Sequence, residues 1–136
     1  MIDISAKFPT ARAARAQALV TMQPATLDRV RHNDLPKPDA LIVARWAGIQ
    51  AAKKTSEIIP ACHQVPLDFV SVDFALRPAA GEIEITALVK AGYKTGVEVE
   101  AMTAAGVAAL TLFDMLKPID DTIEIASVRV LEKSGG

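Results

Sequence analysis

The sequence has a single cysteine, Cys62, and aromatic side chains make up only 4% of its 136 residues. One cysteine cannot close an intramolecular disulfide or supply the thiolates of a structural zinc site, so the fold has to rest on an apolar core. The same scarcity sets a reducing, cytoplasmic compartment as the expectation. Neither sign of charge is in excess: 15 basic side chains stand against 16 acidic ones, a net charge of −1. Proteins that hold nucleic acid by bulk electrostatics gather a basic surplus on one face, and this chain has none to gather. No run approaches the roughly 20 apolar residues of a membrane span, and Met1 to Lys7 lacks the basic and apolar regions of a signal peptide. The chain therefore reads as complete and soluble, with no membrane partner. It also lacks a GxxxxGK[ST] phosphate loop and a GxGxxG fingerprint, the usual sequence support for nucleotide binding.

What the sequence does have is aliphatic. Apolar residues make up 51% of the chain, many of them alanine, and the mean hydropathy is +0.26. That is more apolar surface than one small domain easily hides, which leads us to expect a homo-oligomer. There is no internal repeat, no low-complexity stretch and no linker, so residues 1–136 are read as a single domain.

Hydrophobic periodicity supplies the elements. Apolar residues at every second position from Ala14 to Met22 predict a strand over Ala13 to Met22. Pro24 opens a short helix to about Arg31, which the His32 to Pro38 segment, with two prolines, ends. Asp39 is placed as N-cap of a second helix with Leu41, Ala44, Ala47, Gly48 and Ala51 on one side, ending before Pro60. Asp68 to Leu76 alternates, Pro78 to Gly81 turns, and Ile83 to Val89 alternates again, predicting an antiparallel hairpin. Thr95 to Glu98 has capping-box spacing before an alanine-rich helix that Pro118 stops. A last strand is expected from Thr122 to about Glu132, followed by a polar tail. The result is an α+β, ferredoxin-like order, β-α-β-β-α-β, with an antiparallel sheet, helices on one face and an extra helical segment after the first strand.

Several residues could carry chemistry. Cys62-His63 lies on a loop bounded by Pro60 and Pro66, but too few further ligands exist for a metal, so hydrogen bonding to a substrate is the favoured role. Glu98 and Glu100 share a face in an extended segment and diverge in a helix; Glu98 is explained by capping alone, and Glu100 is not. Asp114 and Lys117 share a helical face and are either a surface ion pair or a proton-transfer pair beside a polyanion. Lys53, Lys54, Arg12, Arg15, Lys94 and Lys133 are scattered cations that could converge on phosphates.

Taken together these segments resemble the MoaC family, cyclic pyranopterin monophosphate synthase of molybdenum cofactor biosynthesis. The resemblance is carried by Val20-Thr21-Met22, the Ala44 to Thr55 segment, Ile59-Pro60-Ala61-Cys62-His63, the Lys94 to Ala101 segment, Phe113-Asp114-Met115-Leu116-Lys117 and Glu132-Lys133-Ser134-Gly135-Gly136. It implies an enzyme, a lyase acting on a substrate derived from GTP, 3',8-cyclo-7,8-dihydroguanosine 5'-triphosphate. The product is the cyclic pyranopterin monophosphate, formed with release of pyrophosphate. It implies that Asp114, Lys117 and Lys37 are catalytic, and that Ala61, Cys62, His63, Val99 and Glu100 contact substrate. It implies that Glu98 binds substrate as well, and that Lys53 and Lys133 are further cations of the pocket.

The resemblance also implies a hexamer of three dimers with sites at subunit interfaces. It requires no cofactor and no bound metal, although magnesium could accompany the triphosphate, and a transient contact with the upstream radical enzyme is open. This sequence departs from the family at Pro38, where glycine is usual, and at Gln64, where proline is usual; many members also continue past Gly136. The alternative reading is a catalytically impaired homologue that binds a pterin or nucleotide phosphate without turnover. A third is a ferredoxin-like interaction domain in which these polar residues are replaceable.

Overall fold

The computed structural model describes residues 1–136. Strand β1 (Thr10–Thr21) is followed by helices α1 (Pro24–Arg31), α2 (Ala40–Lys53) and the single turn α3 (Thr55–Ile58). Strands β2 (Phe69–Arg77) and β3 (Glu82–Tyr93) form a hairpin, α4 (Glu98–Leu116) crosses the sheet, and β4 (Glu124–Ser134) completes it. The sheet order is β2-β3-β1-β4 and every neighbouring pair is antiparallel. That is the ferredoxin-like α+β arrangement expected from the sequence, with α1 as the extra helix.

The alternation that predicted the strands decides which face is dry. Ala14, Ala16, Ala18 and Val20 of β1 and Ile83, Ile85, Ala87 and Val89 of β3 are all buried. α4 lies over β1, β3 and β4, and α2 packs against α4 and β2. Small residues set the helix spacing: a Cβ on Gly48 would sit 2.7 Å from the carbonyl oxygen of Ala104, so α2 approaches α4 as closely as glycine permits. Gly81 closes the hairpin at φ +65°, where any side chain would also collide with the Met22 carbonyl.

α4 is long and apolar enough, by composition, to cross a membrane, with a mean hydropathy of 1.5 over its most apolar window. This corrects the expectation that no segment comes near a span. Its apolarity is spent on the core instead, because Ala101, Ala104, Ala105, Ala108, Ala109, Leu112 and Leu116 are fully buried against the sheet and α2.

Other local expectations are corrected. β1 begins three residues earlier, at Thr10. The second helix stops at Lys53, because the buried Thr55 hydroxyl donates back to the carbonyls of Ala51 and Ala52 and competes with the helical ladder. Asp39 does stand before α2, yet its side chain makes no cap bond. The capping box from Thr95 to Glu98 does not form either: Val97, fully buried, takes the N-cap position, and the Glu98 carboxylate pairs with Lys133 on β4. β4 runs to Ser134, so Lys133 belongs to a strand paired with β1 rather than to a free tail.

Candidate active site

Three of the expected residues meet at the C-terminal end of α4. The Lys37 ammonium lies 3.1 Å from a carboxylate oxygen of Asp114 and donates to the Asp114 carbonyl at 3.2 Å. Lys117, one turn further on, places its ammonium 3.4 Å from the other carboxylate oxygen. Hydrogen bonds from Lys37 and then Lys117 hold the Asp114 carboxyl below its ordinary range, so it is an anion between two cations. All three side chains are accessible, 43% for Lys37 and 57% for each of the others. A phosphate oxygen can therefore reach the two ammonium groups. Beside them, Lys117, Gln23 and Asp121 border a groove of about 440 Å³.

A second group gathers at the opposite end of α4. Glu100 is 3% exposed and accepts a hydrogen bond from the Cys62 thiol at 3.7 Å. Burial raises its carboxyl, and repulsion from Glu98 adds to this, against the opposing pull of a backbone N–H and the thiol. Burial likewise pushes the Cys62 thiol up, with the Glu100 charge acting in the same direction. For Glu98, burial opposes ionisation, but a backbone hydrogen bond and the Lys133 ammonium at 3.0 Å outweigh it and bring the carboxyl below its usual range. Arg12 adds attraction to Glu98, and its Nε is buried with no hydrogen-bond partner. Val99 is exposed on the first turn of α4, and Ala61 is exposed on the loop.

His63, beside Cys62, donates from Nε2 to the Ile2 carbonyl at 2.6 Å, so the chain's own N-terminal segment occupies it. Lys53 does not join either group through a direct contact; it borders a groove of about 450 Å³ with Gln64, Val65, Pro66 and Leu67. No three His, Cys, Asp or Glu side chains gather in an arrangement that could hold a metal ion.

The two groups are far apart within one chain. Glu100 and Asp114 are fourteen residues apart on one helix, which at about 1.5 Å per residue is about 21 Å along the axis.

The protein-family model described as the MoaC family matches residues 1–136. The chain belongs to the MoaC family. Among its relatives in that family, the cyclic pyranopterin monophosphate synthase of Geotalea uraniireducens is 51% identical, over all of this chain and 85% of that one. The protein of the same name from Chloroflexus aggregans is 48% identical over all of this chain and 82% of its own length. That from Desulfitobacterium hafniense is 49% identical, covering all of this chain and 83% of that one. Among solved structures, a de novo designed protein with a ferredoxin fold overlaps 90% of this chain and 88% of its own, at 13% identity and a TM-score of 0.43.

The sequence reading missed two features around these groups. Asp120, just past α4, is buried and accepts hydrogen bonds from the backbone N–H of Gln23 and Thr122 and from the hydroxyls of Thr26 and Thr122. It fastens the segment following Lys117 to the start of α1. The Asp-Asp-Thr run is a turn signal that could have marked it. The second feature is the pairing of Asn33 with Asp39 across the loop that bears Lys37. Nothing in the residue types fixes that pairing in advance.

Proposed function

We infer that this chain carries the activity of cyclic pyranopterin monophosphate synthase. It converts 3',8-cyclo-7,8-dihydroguanosine 5'-triphosphate to cyclic pyranopterin monophosphate and releases pyrophosphate, a lyase reaction of molybdenum cofactor biosynthesis. The observation that carries this reading is the Lys37–Asp114–Lys117 group in a chain that matches the family from end to end.

In this reading Asp114, Lys117 and Lys37 are catalytic. As a hydroxyl of the substrate attacks the α-phosphorus to close the cyclic phosphate and the α–β phosphoanhydride bond breaks, negative charge grows on the departing pyrophosphate, and the two ammonium groups offset it. The Asp114 carboxylate aligns both, and a lysine ammonium gives up and recovers a proton during the ring rearrangement. Ala61, Cys62, His63, Val99 and Glu100 contact the substrate, with Glu98, Lys133 and Lys53 at the edge of the pocket. The His63 N–H is released to the substrate when the Ile2 carbonyl gives way. The reaction takes no resident metal or cofactor, and magnesium arrives with the triphosphate.

A separation of about 21 Å along α4 supports a site completed by a second copy, in which the Asp114 end of one chain faces the Glu100 end of another. Exposed apolar side chains on the helical layer, Ile42 and Trp46 of α2 and Leu110 and Phe113 of α4, favour such burial. We assign a hexamer of three dimers, and light scattering is expected to give six times the 14.4 kDa mass of one chain. The cytoplasm, where one unpaired cysteine stays reduced, is its expected location.

The test is pyrophosphate release from purified protein given the cyclised dihydroguanosine triphosphate, with pterin fluorescence after oxidation as a second readout. Turnover that disappears in K117A supports the reading. Binding without pyrophosphate release would favour the impaired homologue instead.

A further inference from the structure

The segment between α1 and α2 is built to hold one side chain. Asn33 and Asp39 bracket it, and they are the only non-glycine residues with positive φ, at 53° and 63°. Both residue types tolerate the left-handed region better than other L-residues. Their side chains close on each other. The Asn33 amide donates to the Asp39 carboxylate at 3.0 Å, and the Asp39 backbone N–H donates to the Asn33 side-chain oxygen at 2.7 Å. Arg29 secures the near end, donating to the Asp34 carbonyl at 2.9 Å and pairing with its carboxylate.

Inside this ring lie Leu35-Pro36-Lys37-Pro38. Each proline fixes its own φ, and each forces the residue before it, Leu35 and Lys37, out of the helical region. The backbone of Lys37 is thus constrained from both sides, and its ammonium is set against Asp114.

We propose that Asn33 and Asp39 are positioning residues: their reciprocal hydrogen bonds form a clasp that holds Lys37 against Asp114 before substrate arrives, and turnover depends on that held geometry. The proposal rests on the function assigned above for its second half only. Holding Lys37 is a property of the folded chain alone.

The test is lysine-resolved reductive methylation of the full chain, followed by peptide mass spectrometry, on wild type, N33G and D39N. Glycine accepts the positive φ, so N33G removes the clasp without adding backbone strain. Asparagine at position 39 keeps an acceptor for the Asn33 amide, so D39N is the conservative control. Loss of two hydrogen bonds is expected to speed modification of Lys37 in N33G by about tenfold, with Lys90 on β3 unchanged and D39N within about twofold of wild type.

Unchanged Lys37 labelling in N33G would overturn the clasp, and so would equal acceleration at Lys90, which signals general loosening. Pyrophosphate release by the same variants then separates the two halves. A fall in kcat for N33G, with kcat retained in D39N, supports the link to turnover. Faster Lys37 labelling with unaltered kcat would overturn that link. Absence of turnover in wild type would refute the assigned function while the labelling still decides whether the clasp exists.

Discussion

The two ends of α4 carry the same functional group and treat it in opposite ways. A helix dipole favours an anion at the N-terminus and disfavours one at the C-terminus, by about 0.3–1 kcal/mol near the surface. On that ground alone Glu100 would ionise readily and Asp114 reluctantly. The structure reverses both. Burial dominates at Glu100 and raises its carboxyl, whereas hydrogen bonds from Lys37 and Lys117 dominate at Asp114 and lower it. Backbone position is the weaker influence, and the immediate partners and access to water decide the chemistry. One helix thus presents a shielded carboxyl beside a thiol at one end and an open, charged group suited to phosphate at the other.

The largest expected effect comes from breaking the open end. K117A is expected to lose at least about 100-fold in turnover, measured as pyrophosphate release, while its melting temperature stays within about 2 °C of wild type because an exposed ion pair adds little stability. A fall in stability of the size seen for core substitutions would make Lys117 structural.

Asp120 sharpens the contrast, because it is a buried carboxyl that stays ionised. Burial opposes its charge, but its hydrogen bonds with Thr122, Gln23 and Thr26 outweigh that and bring it from 3.8 to about 2. Its folded value lies below its unfolded one, so the stability it contributes is present above about pH 4 and is lost as pH falls toward 2. Urea unfolding at neutral pH is expected to show D120N about 2 kcal/mol less stable. The difference from wild type is expected to shrink at acid pH.

Glu100 has the opposite sign. Its folded value is raised, so ionising it costs stability, and that cost grows as pH rises through the folded value. E100Q is therefore expected to gain in melting temperature relative to wild type as pH rises above the ordinary carboxyl value of 4.5. A scan in which the two curves stay parallel would show that burial does not govern this carboxyl.

The smallest effect concerns salt. Raising ionic strength to about 1 M shortens the screening length to about 3 Å, which is expected to speed methylation of the exposed Lys37. The same change is expected to leave the Cys62–Glu100 contact unmoved, as read by the pH dependence of thiol alkylation.

Much of the fold was legible because strand periodicity is a property of sequence. Ala14 to Val20 and Ile83 to Val89 announce their buried faces directly, and the prolines and Gly81 announce the breaks. Element ends were less legible, since they depend on distant partners. Glu98 leaves its capping role because Lys133, far along the chain, sits on a neighbouring strand, and that strand runs on because β1 is long enough to pair with Ser134.

The site was legible in part. Spacing alone linked Asp114 to Lys117, but only the fold brings Lys37 to them across 77 residues. The Cys62–Glu100 contact likewise spans 38 residues, and no local pattern encodes it. In the sequence Asp39 reads only as a helix cap, Asn33 only as part of a helix-ending loop, and Asp120 is passed over; their work is visible only in who accepts from whom.

The central claim is that the two ends of α4 act in one site although they lie about 21 Å apart along the helix. Co-expression of K117A with E100A tests it most directly. Each variant alone is expected to be inactive, and mixed oligomers are expected to recover about a quarter of wild-type pyrophosphate release, because random pairing yields sites with both intact ends at roughly that frequency. Mixed oligomers that form and yet recover nothing would contradict a site shared between copies.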